Sequence, residues 1–348
     1  MQVLNCAIRN LFLAGTVLLL ASCEQAAYFQ QAAEGQLDIL ASQQPVDEVL
    51  ASGKLKEGPR KRLELSKEVL AFAESELALS VDGRYQNFVD LKRPAVVWNV
   101  FASEELALKP KTWCYPIVGC VAYRGFFDKA TAAANMRNLR KEGYDTFYGG
   151  VSAYSTLGYF RDPILSTFLF MNEGAYIALF FHELAHSVVY VENDSAFNES
   201  FATAVEQEGL QRWDKTHGGS KLLTKSRQRQ KAHRKFVAFV QKYQKRLRKL
   251  YASNVSDDSK RSKKAALFNA MRSDYKRNKS RFKPNSYDHW FKDLNNAKIV
   301  SIGTYNDLVP AFTKMIRARG GDMDAFYEDV KALAKLSKSE RLAKLKKL

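Results

Sequence analysis

The chain has 348 residues, 46% of them hydrophobic and 12% aromatic, enough apolar side chain for a folded core and too much for a disordered chain. Its net charge of +17 is uneven: residues 213–285 hold 23 Lys or Arg against 4 Asp or Glu, and the remainder is close to neutral. That concentration excludes a surface built throughout for nucleic acid and points instead to a local basic feature on one large domain or two lobes.

Residues 1–22 read as a targeting segment. Arg9 supplies a positive start, and Leu11 to Leu20 is an apolar run too short to span a bilayer. It closes on Leu20-Ala21-Ser22-Cys23, which resembles a bacterial lipobox. Ala21 and Ser22 are the small residues before the cleavage point, and Cys23 is the expected lipid-carrying first residue. The bland alternative is an ordinary secretory signal with an incidental cysteine. Glu24, rather than Asp, follows the cysteine, which favours the outer membrane, with the protein facing the periplasm. Acyl chains there contribute roughly 0.8 kcal/mol per buried methylene. Cys6 leaves with the signal, so Cys114 and Cys120 remain in a compartment where disulfides persist. A bridge across the intervening turn and two buried thiols both fit this spacing.

Residues 23–90 are expected to form a helical region, with Leu63, Val69, Leu70, Phe72, Ala73 and Leu77 at helical spacing. A core with a small sheet follows over 91–212. Its strands are read from Pro94–Phe101, Ile117–Tyr123 and Asp145 toward Tyr154, and Asp128 caps a helix that Gly143 ends. Strand, helix and strand suggest a crossover unit. From Ile164 to Arg212 the pattern is helical and largely apolar, broken at Asn193-Asp194-Ser195. Residues 213–285 read as a basic helical hairpin. Phe236, Phe239, Val240, Tyr243, Leu247 and Leu250 face inward on its first arm, and Ala265, Leu267, Phe268, Met271 and Tyr275 on its second. Residues 286–348 finish as helices packed on the core, with a Lys-rich tail from Lys331 expected to fray. The fold class is α+β, predominantly helical.

Chemistry concentrates in His182-Glu183-Leu184-Ala185-His186. Positions i and i+4 of a helix share a face, so both imidazoles can reach one zinc ion. Glu183 stands about a quarter turn away, where its carboxylate can take a proton from a zinc-bound water and return it to a leaving amine. Glu199, thirteen residues past His186 on a helix folded back, is the chosen third ligand. Glu192 and Asp194 are assigned to the loop, and Glu206 is placed too far along the axis. Glu173 is assigned a structural role. His217, His233 and His289 lie in polar surroundings and are read as ordinary surface. Tyr305, Tyr154 and Tyr159 are candidates for a transition-state donor, each also fitting a structural role.

These segments resemble the gluzincin metallopeptidases, whose third ligand is a Glu in an Asn-Glu-x-x-Ala setting, here Asn198-Glu199-Ser200-Phe201-Ala202. More closely, the chain resembles a family of bacterial lipoproteins described as predicted zinc aminopeptidases. That resemblance runs from about residue 15 to 345 and includes Val97–Phe101, Lys111–Cys114, Gly119–Gly125, Ala153–Gly158 and Asp307–Phe312. It implies a gluzincin-like core with one Zn2+ on His182, His186 and Glu199, and peptide hydrolysis by an aminopeptidase. No Gly-x-Met-Glu-Asn element, which grips the substrate amine in one gluzincin family, is present, so endopeptidase action stays open. A non-catalytic zinc-containing envelope lipoprotein is the other alternative. The expected partners are a peptide substrate and the outer membrane through the anchor. The basic segment 213–285 fits either an anionic envelope surface or a solvated arm held by its apolar stripe. A nucleic-acid role is not expected for an exported protein.

Overall fold

The computed structural model describes residues 25–115, 119–153, 161–219, 221–302 and 308–348. The targeting segment, Cys23 and all three tyrosines Tyr154, Tyr159 and Tyr305 lie outside these ranges.

The N-terminal region is mainly helical: α1 (residues 25–41), α2 (Val46–Ala51) and α3 (Glu57–Leu77). The predicted stripe from Leu63 to Leu77 is buried along α3, which stops where Ala78 turns left-handed (φ 50°). Two short strands interrupt the expected all-helical reading. β1 (Gln44–Pro45) pairs antiparallel with β2 (Asn87–Val89), which pairs in parallel with a strand far along the chain, Ile164–Leu165. Strands of two or three residues are too short to show an alternating pattern.

The second sheet is built on β3 (Val97–Glu104), whose buried Trp98, Val100 and Ala102 alternate toward one face. The hairpin β4 (Trp113–Tyr115) and β5 (Gly119–Val121) places Cys114 opposite Cys120, and a disulfide joins them. The expected strand Ile117–Tyr123 is thus confined to β5 among the described residues, and β6 (Arg124–Phe126) follows. Asp128 accepts a hydrogen bond from Thr131 N to start α4 (Lys129–Lys141), and Gly143 (φ 89°) turns the chain into β7 (Tyr144–Val151). Both β6 and β7 pair antiparallel with β3 from opposite sides, so they run parallel to each other. The unit β6–α4–β7 is therefore a crossover with an antiparallel strand between its two parallel members.

The helix carrying the His pair starts later than the apolar pattern suggested. Residues Ile164–Leu165 are β8, and Phe168 and Leu169 are buried in turns. α5 (Glu173–Val188) begins only where the Asn172 side chain accepts from Ala175 N. An apolar run buried on all sides looks the same as strand, turn or helix. α6 (Ser195–Thr216) folds back on α5 and ends beyond the expected boundary at 212, so Trp213 belongs to the main core.

The basic hairpin consists of α7 (Leu222–Tyr251) and α8 (Asp257–Asn278). Phe236, Val240, Tyr243 and Leu247 meet Phe268, Met271 and Tyr275 in a cluster of their own. Ala265, expected to face in, is exposed. The chain closes with α9 (Asn296–Val300), α10 (Val309–Ala318), α11 (Met323–Ala334) and α12 (Lys338–Lys347). The tail does not fray. Ser337 and Glu340 form a capping box at the start of α12, and Arg341 is buried in an ion pair with Asp194. The architecture is α+β and predominantly helical. Among the described residues, no helix is long and apolar enough to cross a membrane.

Candidate metal centre

α5 is apolar on nearly every side. Tyr176, Ile177, Phe180, Phe181, Leu184 and Ala185 are all buried, which fixes the helix and with it the direction of His182 and His186. α6 is returned against it by a tight loop in which Asn193 takes a left-handed conformation (φ 58°). The Asn198 side chain braces that loop twice: its Oδ1 accepts from Val191 N at 2.9 Å and its Nδ2 donates to Val191 O at 2.8 Å. Asp194 caps α6 by accepting from Phe197 N. The residue before Glu199 is thus the clamp that sets where Glu199 projects.

The result brings three predicted residues together. His182 Nε2 lies 3.2 Å from His186 Nε2 and 3.3 Å from Glu199 Oε2, and His186 Nε2 lies 3.7 Å from Glu199 Oε1. One ligand atom from each falls within 4.8 Å of the others. A tetrahedron with zinc–ligand bonds of 2.0–2.1 Å has edges of about 3.3 Å. The two imidazole nitrogens therefore stand one tetrahedral edge apart, and a Glu199 oxygen lies near that distance from each, Oε2 from His182 and Oε1 from His186. Glu199 keeps 48% of its side chain exposed, which leaves an approach from solvent.

The electrostatics fit the same conclusion. Burial works against charging His182, but hydrogen bonds to Glu199 and Glu206 outweigh it and push the imidazole up to about 10. Burial, with the positive His182 beside it, pushes His186 down to about 4. The His182 hydrogen bond holds Glu199 below the usual carboxylate range against burial. Two ring nitrogens facing each other across 3.2 Å beside a carboxylate call for a cation between them, whether proton or metal.

Glu206, set aside as a metal ligand, stands outside the three-residue cluster and touches His182 from the other side. Its Oε2 stands 3.4 Å from His182 Nδ1, on the side of the ring away from Glu199. A carboxylate there fixes the tautomer and orientation of a ligating imidazole. Gln230 of α7 donates to its other oxygen at 3.4 Å. The signal was available: Glu199 and Glu206 are seven residues apart, two turns on one helix face. His186 has no such support, and its Nδ1 is buried without a hydrogen-bond partner among the described residues.

Glu183 is partly buried and lines a cavity of about 440 Å3 together with His182 and Glu206. Tyr85, a residue no motif flagged, is buried close enough to feel Glu183; burial first, then that negative charge, holds its phenol well above its ordinary value. Tyr123 and Tyr190 are half-exposed, and burial, then the nearby Tyr190 and Glu199, raise the Tyr123 hydroxyl. The remaining candidates do not join. Asp194 serves Arg341 and the α6 cap, and Glu173 pairs with Arg62 at 3.7 Å. His217 stacks on Trp213, His233 meets the Tyr287 hydroxyl at 3.1 Å, and His289 is exposed.

A family model described as "Putative aminopeptidase" matches residues 27–345. No curated protein and no solved structure matches the chain.

Proposed function

Because the chain belongs to this family of putative aminopeptidases, we propose that it is a zinc-dependent peptidase, its ion held by His182, His186 and Glu199. The observation that carries the reading is the convergence of one ligand atom from each of the three side chains to within 4.8 Å, with the two imidazole nitrogens one tetrahedral edge apart.

When bound, zinc supplies Lewis acidity that makes water nucleophilic near neutral pH and polarises a carbonyl. Glu183 takes a proton from the attacking water and returns it to the leaving amine. Glu206 keeps the His182 ring in its tautomer and orientation by accepting at Nδ1. The apolar body of α5 holds these groups rigidly enough for the transfer to be aimed.

The lipobox-like Leu20-Ala21-Ser22-Cys23 supports a lipid anchor on the outer membrane, with the enzyme facing the periplasm. A second contact with an anionic envelope surface is supported by a groove of about 750 Å3 between α7 and α10. Arg227, Lys231, Arg234, Lys314 and Arg317 line it, with no carboxylate. Binding to anionic vesicles that falls as salt rises is the expected outcome; salt-independent binding removes that contact from the proposal.

The central experiment pairs metal analysis with Glu183→Gln. One zinc per chain in both proteins, and hydrolysis reduced at least 100-fold in the variant, is expected. Undiminished turnover by the purified variant defeats the assignment. Cleavage of free but not N-blocked peptides is the expected signature of an aminopeptidase, and cleavage of both is that of an endopeptidase.

A further inference from the structure

We propose that the cavity beside Glu183 is a subsite for a carboxylate of the peptide substrate, bound by Lys225 and Arg229; this rests on the peptidase reading above. The cavity is about 440 Å3, within the range of small-ligand sites. α5 forms one wall, where the small residues Gly174, Ala175 and Ala178 leave the space open below His182 and Glu183. α7 forms the facing wall and contributes Lys225 and Arg229, one turn apart on one helix face.

The two cations have no carboxylate partner among the described residues. Glu206, which also lines the cavity, is engaged elsewhere by His182 and Gln230. The cavity therefore presents exposed positive charge on one side, and the groups placed to hydrolyse the peptide on another. A substrate carboxylate seated there gains charge-assisted hydrogen bonds, bidentate where it meets the Arg229 guanidinium. An acidic side chain near the scissile bond and the C-terminal carboxylate of a short peptide both supply that chemistry.

The test uses peptides differing only as Glu or Gln at each position flanking the scissile bond, each as free acid and as amide. The expected result is at least a tenfold higher kcat/KM for one carboxylate-bearing form. Preference for Glu assigns the side chain, and preference for the free acid assigns the terminus. In Lys225→Gln/Arg229→Gln the ratio falls to near one through KM, and in Lys225→Glu/Arg229→Glu it turns toward Lys-bearing peptides. Equal rates for all forms in the wild type, or an unchanged ratio in both double variants, overturns the subsite. If the wild type hydrolyses no peptide, the peptidase reading fails by itself. Binding of a fluorescent acidic peptide to Glu183→Gln protein then decides the cavity. Salt-sensitive binding lost with Lys225 and Arg229 supports it, and no binding refutes it.

Discussion

Glu206 grips the ring of His182 from the side opposite Glu199, so one imidazole sits between two carboxylates of a single helix. Removing such an outer partner costs 10- to 100-fold in metal affinity or activity. Glu206→Gln is therefore expected to keep the fold but bind zinc roughly 10- to 100-fold more weakly, read by chelator competition. Glu199→Ala, which deletes a proposed ligand, is expected to weaken zinc further; wild-type affinity in Glu206→Gln would mean that Glu206 only fills space. The i, i+4 histidines, the intervening Glu and the Asn-Glu pair were all visible in the sequence, because a helix fixes their mutual directions. The spacing put Glu206 on the Glu199 face, but not its contact with His182, because it meets the far nitrogen of the ring rather than the ion's position. Tyr85, Tyr123 and Tyr190 come from loops or turns, where no periodicity announces a direction.

The pairing of α5 with α6 depends on a glycine. A Cβ at Gly209 would stand 2.4 Å from Cδ2 of the buried Phe181 ring and 2.8 Å from Leu77 Cδ1. Gly209→Ala gains up to about 1 kcal/mol of helix propensity, but overpacking a buried helix contact costs about 1–3 kcal/mol. A lower Tm and weaker zinc retention are expected, since α5 and α6 carry the proposed ligands; a higher Tm would show that the contact yields freely. Helices with one apolar face, such as α3 and α7, were readable because solvent marks their other side. The start of α5 and the parallel pair β2–β8 were not, because burial on all sides erases the period.

Among the described residues three apolar clusters share the chain: the main core, the sheet of β3 with α4, and the hairpin with the segment after it. The hairpin's basic segment folds around aromatics, Phe236 stacked on Tyr287 and Tyr275 on Phe291, so the segment just after it completes its interior. The last helix is tied to the centre differently. Arg341 donates from Nε and Nη2 to Asp194 Oδ2 at 3.0 and 2.7 Å, both side chains buried. Deleting one partner of such a pair costs about 3–5 kcal/mol by stranding the other charge. Arg341→Met is expected to lower stability by that order in urea unfolding, and adding Asp194→Asn to recover part of it. No recovery would place the loss in packing on Phe197, over which the guanidinium sits.

That same closure ties the proposed ligand set to helices that contribute no ligand. Phe197 and Phe201, flanking Glu199 on α6, are seated against Phe312 of α10, and Phe201 also against Phe326 of α11. In a close-packed interior a shift of α10 or α11 is passed through these rings to the helix that presents Glu199. The outer surface of those two helices is therefore a lever on the site that touches no residue in it.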